Sequence, residues 1–196
     1  MRSVAVYCGA REGADPAFAH AVAALGSEIA SRGLITVYGG GSLGLMGVLA
    51  NAALSAGGRV IGVIPRGLFE RELGHRDLER LEVVESMHER KARMAELADG
   101  FIAAPGGFGT LDELFEALTW TQLGIQDKPC GLLSVNGYYD KLVQFVGRAA
   151  GENFVDEGHS RGLIEADRAD VLLDNLIGWQ SPGPRSEVAR PHANGA

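Results

Sequence analysis

At 196 residues and 20.7 kDa the chain is sized for one domain with a core of its own. Its formal charge of −7, from 18 Lys+Arg against 25 Asp+Glu, gives no general attraction for a phosphate backbone, which argues against nucleic-acid partners. No run approaches the ~18 consecutive apolar residues of a membrane span, so a membrane partner is not expected.

The N-terminus enters a strand-like run, Val4–Cys8, without a charged leader, and a cytoplasmic protein is expected. Asp15-Pro16 opens a helix to about Arg32, with Asp as the cap and Pro at the first helical position; Gly33 stops it. Leu34–Tyr38 reads as a second strand, then Gly39-Gly40-Gly41-Ser42 and an Ala/Leu-rich helix to Ser55. Arg59–Ile64 is a third strand closed by Pro65, and residues 66–80 lack a period and read as a loop with a short helical turn. Leu81–Glu85, Phe101–Ala104 and Cys130–Val135 are further strands, each followed by a helical pattern: His88–Ala98, Thr110–Leu123 and Tyr138–Ala150. A short strand near Leu163-Ile164 and a helix from Arg168 to Ile177 complete the pattern. Cys8 and Cys130 sit in or beside apolar runs and read as buried thiols, not a disulfide.

Alternation of apolar strands with helices calls for an α/β fold, a parallel sheet covered on both faces. Ligands of such sheets gather beyond the carboxyl ends of the strands, where the glycine-rich turns 39–47 and 105–110 fall. Residues 1–180 are expected to form a single domain, and the Pro/Gly/Ser-rich stretch 181–196 a disordered tail.

The strongest chemical signal is Pro105-Gly106-Gly107-Phe108-Gly109-Thr110-Leu111-Asp112-Glu113. It joins a strand to a helix, so its amides and the helix dipole can face an anion. Thr110 and Glu113 also fit a capping box, which starts helices without any ligand. Three glycines and a proline in the five preceding positions exceed what capping needs. The other cluster contains Gly39-x-Gly41-x-x-Gly44, a dinucleotide-type fingerprint. The carboxylate that should end the next strand is missing from Val63-Ile64-Pro65, which disfavours a NAD-type site. Gly40, Gly41, Ser42 and Met46 remain candidates for touching a nucleotide, with tight helix-on-sheet packing as the competing explanation. Met87-His88-Glu89-Arg90-Lys91 places basic residues early in a helix, and Arg90 could share a crevice with Glu113. No histidine spacing suits a metal, no lysine marks a pyridoxal aldimine, and no acyl-transfer motif occurs.

With these residues in place the sequence resembles the LONELY GUY (LOG) family of cytokinin riboside 5′-monophosphate phosphoribohydrolases, often mislabelled lysine decarboxylases. Residues 105–113 match its signature PGGxGTxxE at every fixed position; Arg90-Lys91 and the glycine cluster 39–47 match its upstream motifs. The likeness continues through Thr119–Gly124, Asp127-Lys128-Pro129 and Gly137-Tyr138-Tyr139. The resemblance implies a Rossmann-like fold, a homodimer with its site near the interface, and hydrolysis of purine nucleotides with no metal or cofactor. It implies Arg90 and Glu113 as the catalytic pair. It also implies a substrate site of Glu72, Arg90, Lys91 and Thr119 together with the turn Gly106, Gly107, Phe108, Gly109, Thr110, Leu111 and Asp112. Asp112 stands where the family commonly has Glu. A nucleotide-binding or carrier module of the same fold is the rival reading; it needs the glycine turns but not Arg90 and Glu113 together.

Overall fold

The computed structural model describes residues 1–71, 74, 75 and 77–181. Seven strands form one sheet: β1 (Ser3–Tyr7), β2 (Ile35–Tyr38), β3 (Arg59–Pro65), β4 (Arg80–Val84), β5 (Phe101–Ala103), β6 (Cys130–Leu133) and β7 (Leu163–Ala166). Every pairing is parallel, in the order β4-β3-β2-β1-β5-β6-β7. The helices are α1 (Pro16–Ser31), α2 (Gly44–Ser55), α3 (Arg66–Phe69), α4 (Met87–Leu97), α5 (Phe108–Gln122), α6 (Asp140–Gly151), α7 (Glu157–Arg161) and α8 (Ala169–Ile177). Strands buried on both faces need helices on both, and β1 shows the division residue by residue. Val4, Val6 and Cys8 pack with α1, α2 and α8, whereas Ala5 and Tyr7 pack with α4 and α5. This is a Rossmann-like α/β fold.

Local chemistry sets the helix starts. Asp15 Oδ1 accepts from the Ala17 amide at 2.9 Å with Pro16 in the first turn, as the sequence leads one to expect. At α4, Ser86 Oγ accepts from the Glu89 amide at 3.1 Å, while Glu89 Oε2 reaches back to the Glu85 amide at 2.8 Å. That fixes the turn from which Arg90 and Lys91 project.

Within 66–80, α3 supplies the short helical turn, and Gly74 bridges to Gly41. The sequence pattern omits α7, because Glu-Gly-His-Ser-Arg has no apolar period to read. Helix α5 starts at Phe108, two residues before the sequence-based boundary. Both cysteines are buried free thiols. Among the described residues no helix is long and apolar enough to cross a membrane. The expected tail lies, from residue 182 onward, outside the described residues.

Candidate active site

The chain leaves β1 in one direction and, after β4, returns to the other side of β1 as β5. Loops following β1 and β5 therefore diverge, and a crevice opens between them at the carboxyl edge. It measures about 520 Å³. One wall is the β1–α1 loop from Cys8 to Gly13, another the turn Pro105–Thr110, and Gly39, Leu45 and Met46 close a third side. The Gly9 amide donates to the Pro105 carbonyl at 3.0 Å and pins the two loops together at the floor.

Arg90 from α4 and Glu113 from α5 meet there. Arg90 Nη2 donates to Glu113 Oε1, both side chains line the crevice, and each residue is 7% exposed. The guanidinium lies against Gly39, where a Cβ would stand 3.3 Å from Nη1. Burial holds the Glu113 carboxyl above its ordinary range, and the charge of Arg90 pulls it partly back down. Tyr7 on the floor is likewise pushed up, by burial first and by Glu113 second, so its phenol stays protonated. A buried carboxyl whose pKa its surroundings shift, set in a crevice, has the character of a proton-transfer group.

The first backbone bond of α5 runs from the Leu111 amide to the Gly107 carbonyl at 3.1 Å. The amides of residues 108–110 precede it and carry the positive end of the helix dipole. Gly107 is the N-cap and makes no side-chain cap. With the helix starting at Phe108, Thr110 and Glu113 lie inside it, and the capping-box explanation of these two residues does not hold. Thr110 is buried at 3% exposure, and its side chain fills the space a Cβ on Gly106 would need. A Cβ at Gly107 or Gly109 would meet nothing within 4 Å. Room and donors coincide at this turn.

Of the residues singled out from the sequence, Arg90, Glu113, Gly106, Gly107, Gly109, Thr110 and Met46 line the crevice. Phe108 points outward at 94% exposure, and Leu111 packs against the core under α5. Lys91 Nζ bonds Asp112 at 3.0 Å and Glu116 at 3.3 Å, so lysine and aspartate face each other outside the lining. Burial opposes the charge on Lys91, but these two carboxylates win and raise its pKa. The Gly40 carbonyl accepts from the His75 amide at 2.9 Å; Gly40, Gly41 and Ser42 lie outside the crevice lining. Thr119 donates to the Phe115 carbonyl at 2.6 Å and borders a separate cavity of about 160 Å³ with Phe115, Phe145 and Trp179. Glu72 lies outside the described residues.

Sequence reasoning passed over Arg11, Glu12, Phe18 and Leu68, which also line the crevice, and read Tyr138, another lining residue, only as part of the family likeness. The available signal was Cys8-Gly9 at the end of the first strand, a central position only once the sheet order is known. Tyr138 OH donates to the Gly106 carbonyl at 2.6 Å, and its ring meets Phe18 edge-on at 5.4 Å. The neighbouring Tyr139, buried, donates to the Ala104 carbonyl at 2.7 Å.

A family model described as "Possible lysine decarboxylase" matches residues 46–176. The chain is 47% identical over 176 residues to the cytokinin riboside 5′-monophosphate phosphoribohydrolase LOG of Oryza sativa subsp. japonica, covering 90% of this chain and 73% of that protein. It is 45% identical to LOG3 of Arabidopsis thaliana, with 90% and 82% covered. Among solved structures it is similar to a molybdenum cofactor binding protein from Rippkaea orientalis, at TM-score 0.68, 21% identity, and 90% and 95% coverage. A Moco carrier protein from Chlamydomonas reinhardtii has TM-score 0.68 at 22% identity, with 90% and 97% covered. At such identity these two structures speak to fold alone.

Proposed function

The chain belongs to the LOG family of cytokinin riboside 5′-monophosphate phosphoribohydrolases, and on that premise we propose that it hydrolyses the N-glycosidic bond of purine nucleoside 5′-monophosphates. The products are free base and ribose 5-phosphate. The observation that carries this reading is the buried Arg90–Glu113 pair, set in one crevice with the open amides of α5.

Breaking C1′–N9 leaves positive charge on the ribose ring while the electron pair departs with the base, which takes up a proton. Glu113 as a carboxylate stabilises the oxocarbenium-like sugar or takes the proton of the water that adds to C1′. Arg90 holds that carboxylate in place and opposes the pKa rise that burial causes. The phosphate is remote from the breaking bond, so its grip on the α5 turn positions the sugar. Nothing here requires a metal or cofactor.

The reading includes a homodimer. Phe108 and Phe115 are exposed along α5, Leu123 at its C-cap and Ile125 in the turn after it, large apolar side chains of the kind that protein contacts cover. Sedimentation at micromolar concentration tests this; a monomer would remove it.

The activity is tested by incubating the protein with AMP and with isopentenyladenosine 5′-monophosphate and separating the products by chromatography. Release of adenine or isopentenyladenine with ribose 5-phosphate supports the assignment. Tight binding of both nucleotides without base release would instead establish the carrier reading.

A further inference from the structure

A phosphate dianion entering the crevice needs compensating charge, and the cations nearest to it differ in how free they are. Four residues that carry full charges, two of each sign, line the crevice: Arg11, Glu12, Arg90 and Glu113. Arg90 is bonded to Glu113 and buried. Lys91 is held by Asp112 and Glu116 and does not line the crevice. Arg11 makes no ion pair or side-chain hydrogen bond among the described residues, and it is exposed at the mouth.

Its backbone is not free. A Cβ on Gly9 would stand 2.8 Å from the Arg11 carbonyl oxygen. On the other side, a Cβ on Gly44 would overlap the Ala10 carbonyl carbon and the Arg11 amide nitrogen. The loop is thus clamped between the end of β1 and the first residue of α2, and the Gly9–Pro105 hydrogen bond ties it to the phosphate-facing turn. A guanidinium on a pinned backbone loses less freedom on binding than one on a loose surface loop, and its planar fork matches two phosphate oxygens.

From this charge accounting, and resting on the proposed function, we infer that Arg11 is the residue that selects the phosphorylated nucleotide over its nucleoside, by pairing with the 5′-phosphate opposite the α5 amides. Arg90 keeps its role on Glu113. Glu12, beside Arg11 in the same lining, is the opposing charge and weakens the same contact.

The test compares AMP with adenosine, by kcat/KM and by calorimetric affinity, in the wild type and in Arg11→Gln, Arg11→Lys and Glu12→Gln. Arg11→Gln is expected to cut the preference for AMP by about 10- to 100-fold, the value of a charge-assisted contact, through KM and affinity with little change in kcat. Adenosine should be unaffected. Arg11→Lys recovers part of the loss, and Glu12→Gln raises AMP affinity. The exposed position means the melting temperature should not move. An unchanged AMP-to-adenosine ratio in Arg11→Gln, with hydrolysis intact, overturns the inference and leaves the activity standing. If the wild type binds AMP but releases no base, the activity fails, and the affinity ratio still decides the role of Arg11.

Discussion

Two turns of this molecule carry the same sequence signal and use it for opposite ends. In the turn 39–47 the space beside each glycine is filled by the chain itself. A Cβ on Gly40 would press on Ile64 and Leu81, one on Gly44 would enter the Ala10–Arg11 peptide, and one on Gly47 would enter the Ser42 carbonyl. In the turn 105–110 only Gly106 is so enclosed; Gly107 and Gly109 look into open space. Glycine in the first turn permits close packing of protein on protein. In the second it leaves backbone amides uncovered for something that is not protein. A glycine-rich pattern alone does not separate these cases, and the missing carboxylate after β3 gave only a negative hint.

Arg90 and Glu113 link the regions, since the guanidinium leans on Gly39 while the carboxylate hangs from the helix that the second turn begins. The largest expected effect is therefore at this link. Glu113→Gln should retain affinity for the nucleotide but lose about 10³-fold in kcat, within the range of a lost general base or charge stabiliser. Full activity in this variant would remove the carboxylate from the mechanism. In the wild type, burial raises the pKa of Glu113, so activity should climb with pH on a limb above the ordinary carboxyl value of 4.5. Arg90→Gln removes the main lowering influence, and the limb should move to still higher pH. The linked sign for stability is the reverse. A carboxyl whose folded pKa is raised helps the fold most below its unfolded pKa, and that help is lost as pH rises through the folded value. Measured pH–rate profiles of the two proteins check the direction.

The comparison itself is put at risk by paired alanine substitutions. Gly44 has φ +59° as well as no free space, so Gly44→Ala should destabilise by about 3 kcal/mol or more. Gly109→Ala has room for its methyl group, and should leave thermal stability within about 1 kcal/mol of wild type, or improve it. Its effect should appear in ligand binding, as a KM for AMP raised about tenfold by a methyl group in the anion's path. Chemical denaturation and steady-state kinetics on both variants decide the matter. If Gly44→Ala were harmless, or Gly109→Ala unfolded, the distinction between a packed and an open turn would fall.

Much of this was legible in advance because the strands are apolar on both faces and the helices carry their own start signals, as Asp15-Pro16 does. The union of Arg90 with Glu113 was readable as an expectation from two spaced motifs. Its physical cause was not. Helix α4 follows the edge strand β4, yet packs across β3, β2 and β1 on its way to β5, and this crossing carries Arg90 to the centre of the sheet. Nothing in a linear pattern encodes that path. Arg11 was hidden for a related reason, since a single arginine in a polar loop has no period, and its setting depends on Gly9 and Gly44 from two other elements. Lys91 shows the converse: adjacent in sequence to Arg90, it points to Asp112 and Glu116 instead of the crevice.

The smallest expected effect concerns how the open turn stays open in the right direction. Gly106 and Gly107 share a peptide whose C=O and N–H point opposite ways. Tyr138 OH holds that C=O at 2.6 Å, and so fixes the direction of the Gly107 amide. The tyrosine is delivered by Asn136 and Gly137, both at positive φ, while Asn136 Nδ2 donates to Asp15 Oδ2 at 2.9 Å and ties the turn to the start of α1. Tyr138→Phe keeps the ring against Phe18 and deletes only the hydroxyl. One hydrogen bond at a part-exposed site contributes about 1 kcal/mol, so KM for AMP should rise about 2- to 10-fold while kcat and the KM for adenosine stay near wild type. A parallel rise for both substrates would mean that Tyr138 shapes the sugar or base region, and that the packed surroundings of the turn, without the hydroxyl, suffice to aim its amides.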